Sequence, residues 1–304
     1  MGGKGGAGGP GLDRKTSGDA CPNALIQLDY GRLLQRESPG ALMAGFWKNR
    51  THNLARMSLG DLFIAFFTYP AALVYIALSA VCVFFIARWY QSALPLIVAS
   101  ALTAFVYPLV WYVLHRWVLH AQYLYRSPLT ARVWKRIHFD HHQDPHNLVV
   151  LFGALYTTLP TIAIVTVPVG YLVGGPAGSA MALCAGLLTT CFYEFSHCVQ
   201  HLNTTPKSAY MKRIKQLHLA HHFHNEQGNY GITNFTWDQL FGTYYAKAKL
   251  VPKSPTVFNI GYTEEMAAKY PWVNELSNFT RGDSNPRRFR SGEGSPDAAT
   301  AGGQ

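Results

Sequence analysis

The chain has 304 residues, of which 49% are apolar and only 14% charged, with 13 histidines and a net charge of +10. The charges crowd into a few segments and leave long uncharged runs, which excludes an ordinary water-soluble core. The basic excess is not a nucleic-acid footprint either, because its placement around the apolar runs follows a membrane pattern.

Residues 1–20 are rich in glycine with nothing to bury, and are expected to form a disordered tail. Residues 21–60 scatter Leu, Met, Phe and Trp among Arg and Lys, which reads as a cytoplasmic or interfacial segment of short helices. No short apolar core with a small-residue cleavage pattern precedes the first apolar run, so that run is expected to be a span rather than a leader.

Four stretches then reach the roughly 20 residues that a helix needs to cross the hydrocarbon core. They are Leu62–Ala87, Ala93–Leu114, Leu148–Val173 and Ala177–Phe195. The first three hold no Asp, Glu, Lys or Arg, and the fourth holds only Glu194. Threading them in order places every one of the 26 Lys and Arg residues except Arg88 on one side. The positive-inside rule therefore puts both termini and the connecting segments in the cytoplasm. The outer connections, Arg88–Ser92 and Gly174–Pro176, leave room only for helix hairpins. The expected fold is all-α: four transmembrane helices and a cytoplasmic helical cap within a membrane domain over 61–250. A C-terminal cytoplasmic segment over 251–284 and a disordered tail over 285–304 follow.

Ten of the histidines fall in four clusters beside these runs: His115 and His120; His138, His141 and His142; His197 and His201; His218, His221 and His222. Imidazole is a common metal ligand and is costly to bury at a bilayer without a partner, so the clusters point to a dimetal site. A helical residue turns about 100°, which puts His197 and His201 about 40° apart on one face. Each HxxHH cluster spans an arc of about 100°. His115 and His120 fall about 140° apart on an ideal helix, so the helix must end or bulge between them, or His120 must bind from a following turn. Ten ligands suffice for two ions and are too many for one. Structural zinc needs only about four ligands, whereas attack on an unactivated C–H bond needs a redox metal, which favours two iron ions; zinc can replace iron in purified samples. Asp140, Asp144, Glu194 and Glu226 are close enough in sequence to accept from imidazole N–H groups, Glu194 foremost. His146 and His224 lie just past their clusters and His52 reads as a surface residue. The five cysteines (Cys21, Cys82, Cys184, Cys191, Cys198) form no CxxC pair and read as free thiols.

The clusters HRWVLH, HFDHH, HCVQH and HLAHH resemble the fatty acid hydroxylase/sterol desaturase superfamily of integral-membrane di-iron oxygenases. The block GNYGITNFTWDQLFGTYY (Gly228–Tyr245) resembles that family's signature region, and residues 193–245 look most like fatty acid 2-hydroxylases. The resemblance implies that the ten clustered histidines are the iron ligands, with no catalytic residue beyond them. It also implies that a lipid, most closely a sphingolipid acyl chain, is hydroxylated with O2 and two electrons. Many relatives carry a b-type cytochrome domain with a His-Pro-Gly-Gly motif that is not found here. The electrons are therefore expected from a separate protein, a b-type cytochrome or a ferredoxin with its reductase, in a bacterial inner membrane or an endoplasmic reticulum. The same ligands serve lipid desaturases and sterol, carotenoid or headgroup hydroxylases, which stand as alternatives. A metal transporter or sensor would need its ligands near the bilayer midplane, whereas these lie at span ends.

Overall fold

The structure, a computed structural model, describes residues 52–277. The expected tails at 1–20 and 285–304, Cys21 and most of the segment 21–60 lie outside these residues. Everything described falls within the compact unit Thr51–Gln304. Among the described residues all extended elements are helices, joined by one isolated bridge between Asn53 and Asn147.

The membrane half begins with α1 (Leu59–Phe67), whose N-terminus is closed by a capping box. The Ser58 hydroxyl accepts from the Asp61 backbone N–H, and the Asp61 carboxylate accepts from the Ser58 backbone N–H. The run expected as one span from Leu62 is divided here. Tyr69 takes an extended conformation ahead of Pro70, which starts α2 (Pro70–Trp89) as a helix of its own. α3 (Ala93–Leu114) follows after a short turn.

Three helical stretches are long and apolar enough to cross a membrane: Pro70–Trp89, Ala93–Leu119 and Leu148–His201. Their packing is inside out relative to a soluble protein. α2 buries Ala72, Tyr75, Ser79 and Cys82, and α3 buries Ala99, Thr103 and Tyr107, at spacings of three or four. The bulky residues Phe84, Leu94, Ile97 and Phe105 stay exposed. Small and hydroxylated faces meet one another while large aliphatic and aromatic groups face outward, as lipid-immersed helices require.

The long helix α6 (Leu155–His201) is two arms joined at a break. Gly174 and Gly175 leave helical geometry, and Gly175 adopts φ 59°, a conformation that suits glycine. The arms, 155–173 and 176–201, pack back on each other. Ser179 donates to the Val167 carbonyl at 3.0 Å, and a Cβ on Gly170 would lie 2.3 Å from the Gly178 carbonyl oxygen. Only glycine at both positions allows the backbones this close. The expected start of this run at Leu148 is also interrupted: α5 (Leu148–Leu151) is a single turn, and Phe152 leaves helical conformation before the first arm begins.

The other half carries the histidine segments. Between α3 and α5 lie α4 (Pro128–Trp134), a π-turn (Lys135–Phe139) and a four-residue turn of helix (Asp140–Gln143). After the second arm comes α7 (Ala209–Phe223), capped by the Ser208 hydroxyl. Residues 251–277 fold back over the first of these segments. Ile260, Tyr262 and Val273 join Tyr125, Trp134 and Phe139 in one buried apolar cluster.

Candidate metal centre

The geometry that is awkward for a regular helix is resolved by π-turns. Residues His115–Leu119 form a π-helical turn, closed by a bond from the His120 N–H to the His115 carbonyl at 3.1 Å. Five residues then occupy one turn, and the 140° mismatch disappears. The His115 and His120 Nε2 atoms lie 3.2 Å apart. A second π-turn, Lys135–Phe139, carries His138.

The ten clustered histidines assemble into two groups of five. One holds His115, His120, His138, His142 and His221; the other holds His141, His197, His201, His218 and His222. Within each group the nearest ligand atoms all lie within 4.8 Å of one another. Each HxxHH cluster is thereby divided. The i and i+4 residues share a face and enter one group, while the i+3 residue, turned by about 60° from the first, enters the other. The groups adjoin, with the His142 and His222 ring centroids 4.2 Å apart.

The donor set fits bound cations. Imidazole nitrogens face each other at short range: His120 to His138 at 2.8 Å, His201 to His218 at 2.9 Å and His197 to His218 at 3.0 Å. Two ligands at right angles on an ion bound at about 2.1 Å would be about 3.0 Å apart, which matches this spacing. The Nε2 atoms of His142 and His221 and both ring nitrogens of His141 and His222 are buried without a protein partner. Such atoms are costly to leave unmatched, and a bound ion accounts for one nitrogen of each ring. Burial holds the His142 imidazole down to about 3, with His115 adding to it. Burial first, then neighbouring rings, keep His138, His218, His221 and His222 well below the usual imidazole range. These rings are therefore neutral at pH 7 and present the lone pairs a metal takes.

Backbone carbonyls orient the first group. His115 Nδ1 lies 2.6 Å from the Tyr230 carbonyl, His221 Nδ1 2.7 Å from the Gly228 carbonyl and His142 Nδ1 3.3 Å from the Val257 carbonyl. Each such bond puts the proton on Nδ1 and aims Nε2 inward. The loop that supplies two of these carbonyls is the block Gly228–Tyr245. Asp238, fully buried, accepts from the N–H groups of Tyr230 and Gly231 at 2.8 Å each and from the Thr243 hydroxyl at 2.7 Å. Asn229, at φ 54°, exchanges two hydrogen bonds with the Tyr245 backbone. Val257 is held by a strap in which the Glu226 carboxylate accepts from Ser254 at 2.9 Å and Thr256 at 2.6 Å.

The carboxylates expected beside the imidazoles are placed elsewhere. Asp140 pairs with Lys135 at 2.8 Å. Glu194 accepts from the Gly153 N–H and the Tyr75 hydroxyl at 3.2 Å each, and its second oxygen is buried with no protein partner. Glu226 acts on the strap rather than on a ring. His146 and His224 bond through their ring nitrogens to the His201 and Val251 carbonyls and enter neither group. The described cysteines, Cys82, Cys184, Cys191 and Cys198, are free and buried. Asp238, Asn229 and the strap were not singled out from sequence; an Asp within a conspicuous polar-aromatic block was the only signal available.

A cavity of about 330 Å³ reaches both groups. Its wall includes His115 and His138 from the first and His197 from the second, with Trp111, Leu114, Val118, Val133 and Ile137 supplying apolar surface. Thr157, Thr158, Thr161, Tyr193 and Glu194 form a polar strip on it.

Comparison with known proteins points to one family. The family model for fatty acid hydroxylases matches residues 100–243. Ceramide very long chain fatty acid hydroxylase SCS7 of Saccharomyces cerevisiae is 31% identical over 147 residues, which are 46% of this chain and 36% of that protein. Dihydroceramide fatty acyl 2-hydroxylase FAH2 of Arabidopsis thaliana is 33% identical over 144 residues, 44% of this chain and 55% of that protein. Fatty acid 2-hydroxylase of Homo sapiens is 26% identical over 158 residues, 51% of this chain and 40% of that protein. The solved structure of full-length scs7p, in which only the hydroxylase domain is visible, aligns with a TM-score of 0.51 at 22% identity. That alignment covers 66% of this chain and 71% of the other, and shows a shared fold. The chain spans roughly a third to just over half of the length of these curated relatives. The resemblance to the fatty acid hydroxylase family holds across the segment that carries all ten histidines.

Proposed function

We propose that this fatty acid hydroxylase-like chain is a membrane-bound di-iron oxygenase that hydroxylates a lipid acyl chain next to its polar end. The observation that carries the proposal is the apolar cavity whose wall includes rings of both histidine groups. His115, His120, His138, His142 and His221 would hold one ion, and His141, His197, His201, His218 and His222 the other. Two bound irons would supply the activation of O2 that insertion of oxygen into a C–H bond requires. The overall reaction consumes O2, two electrons and two protons, and yields the alcohol and water.

The side chains around that centre do the rest. Trp111, Leu114, Val118, Val133 and Ile137 line a channel suited to methylene groups and exclude water from it. The threonine hydroxyls and the Glu194 carboxyl mark where a polar group of the substrate can be matched. Neutral imidazoles keep their lone pairs for the metal.

In this reading α2, α3 and the two arms of α6 cross the bilayer four times. The histidine segments and both termini lie in the cytoplasm, where a separate redox protein delivers electrons. Placement at the membrane boundary lets a lipid keep its tail in the hydrocarbon while its carbon near the headgroup reaches the rings. Mass spectrometry of lipids from cells with and without the chain tests the proposal. A 2-hydroxylated acyl product that disappears with His197→Ala or His222→Ala supports it. Undiminished product in those variants rules out their assigned role.

A further inference from the structure

The two histidine groups match in number but not in support. In the first, three of five rings are oriented by main-chain carbonyls, those of Gly228, Tyr230 and Val257. Each carbonyl is itself fixed, two by the Asp238 and Asn229 bonds and one by the Glu226 strap. In the second, His201 and His218 have a buried Nδ1 with no protein acceptor, and His141 and His222 have both nitrogens so. Rings held in the binding tautomer before the ion arrives lose little freedom when it binds, whereas unsupported rings must be ordered by the ion itself. Loss of such supporting partners typically weakens metal affinity by about 10–100-fold.

We infer that the two sites bind metal unequally, with the His115–His120–His138–His142–His221 site the tighter and the His141–His197–His201–His218–His222 site the exchangeable one. This ranking rests on the dimetal reading above, and it makes Asp238 and Glu226 positioning residues for the tight site. Of the strap, Glu226 lies within the residues that match the family model, and Ser254, Thr256 and Val257 lie beyond them.

The full-length protein in detergent, loaded with Zn²⁺ as the probe ion, is dialysed against buffers of decreasing free zinc, and metal per chain is measured by mass spectrometry. The expected result is a plateau at one ion per chain, with the two half-loss points about 10–100-fold apart. His222→Ala should remove the weaker step and leave the tight ion, whereas His142→Ala should remove the tight one. Glu226→Ala should move the tight step toward the weak one and leave the weak step in place. Glu226→Gln, whose amide oxygen still accepts from Ser254 and Thr256, should restore the separation. Loss of both ions in one step from the unaltered protein overturns the ranking and leaves the dimetal reading standing. Survival of the tight ion in His142→Ala overturns it as well. Failure of the unaltered chain to hold any ion overturns both.

Discussion

Replacing Asp238 tests whether the loop Gly228–Tyr245 is a device for aiming histidines. Its carboxylate is fully buried and accepts three hydrogen bonds, from the Tyr230 and Gly231 N–H groups and from the Thr243 hydroxyl. Asp238→Ala leaves those donors buried without an acceptor. An unsatisfied buried donor costs about 1–3 kcal/mol, and Thr243 has a second contact, Tyr112, to fall back on. The two N–H groups alone then amount to a loss of about 2–6 kcal/mol, against a typical domain stability of about 5–15 kcal/mol. Asp238→Asn keeps one acceptor oxygen but turns an NH₂ toward one of the donors, so about half that loss is expected. Thermal unfolding in detergent, followed by circular dichroism, measures the first effect, and zinc per chain measures the second. Both variants should lose stability in the stated order, and the carbonyls on His115 and His221 should loosen, so zinc content should fall with it. An Asp238→Ala protein within about 0.5 kcal/mol of the unaltered one, the scale of ordinary surface substitutions, with full metal content would refute the reasoning.

The packing of the two arms of α6 gives a steric prediction: Gly170→Ala puts a Cβ 2.3 Å from the Gly178 carbonyl oxygen, and the melting temperature should drop by the equivalent of about 1–3 kcal/mol or more. Metal-free protein should be acid-labile. An unfolded histidine titrates near about 6.5, whereas folded His142 is held down to about 3, so the unfolded state binds more protons between those values. Stability is then full above about pH 6.5 and falls as pH drops toward 3, by up to about 1.4 kcal/mol per pH unit for that ring; urea midpoints that stay flat between pH 7.5 and 5.5 would contradict this. Filling the cavity with Val133→Trp should abolish lipid turnover while leaving metal content unchanged, and turnover at the original rate would show that substrate does not enter there.

Much of the fold was legible because lipid imposes long uncharged runs, and those runs are visible without coordinates. The break between His115 and His120 was legible too, since their spacing conflicts with 3.6 residues per turn and a π-turn is one of the few remedies. The interruptions at Pro70 and at Phe152 were not, because an apolar run hides a local change of backbone direction when both sides face lipid. The division of each HxxHH cluster depends on which rings approach from other helices, and a helical wheel describes only one helix at a time. The carbonyls of Gly228, Tyr230 and Val257 carry no side-chain signature at all. For the same reason Glu194, near His197 on the helical face, proved to bond to Gly153 and Tyr75 instead.

The crossing of the i+3 histidines has an outcome for biogenesis. Neither quintet can be completed from one half of the chain, since His221 must travel to the first and His141 to the second. A nascent polypeptide with only its earlier hairpin inserted thus lacks a finished socket for either cation. On the dimetal reading, loading would wait until both halves have docked, and each ion would then staple together segments translated far apart.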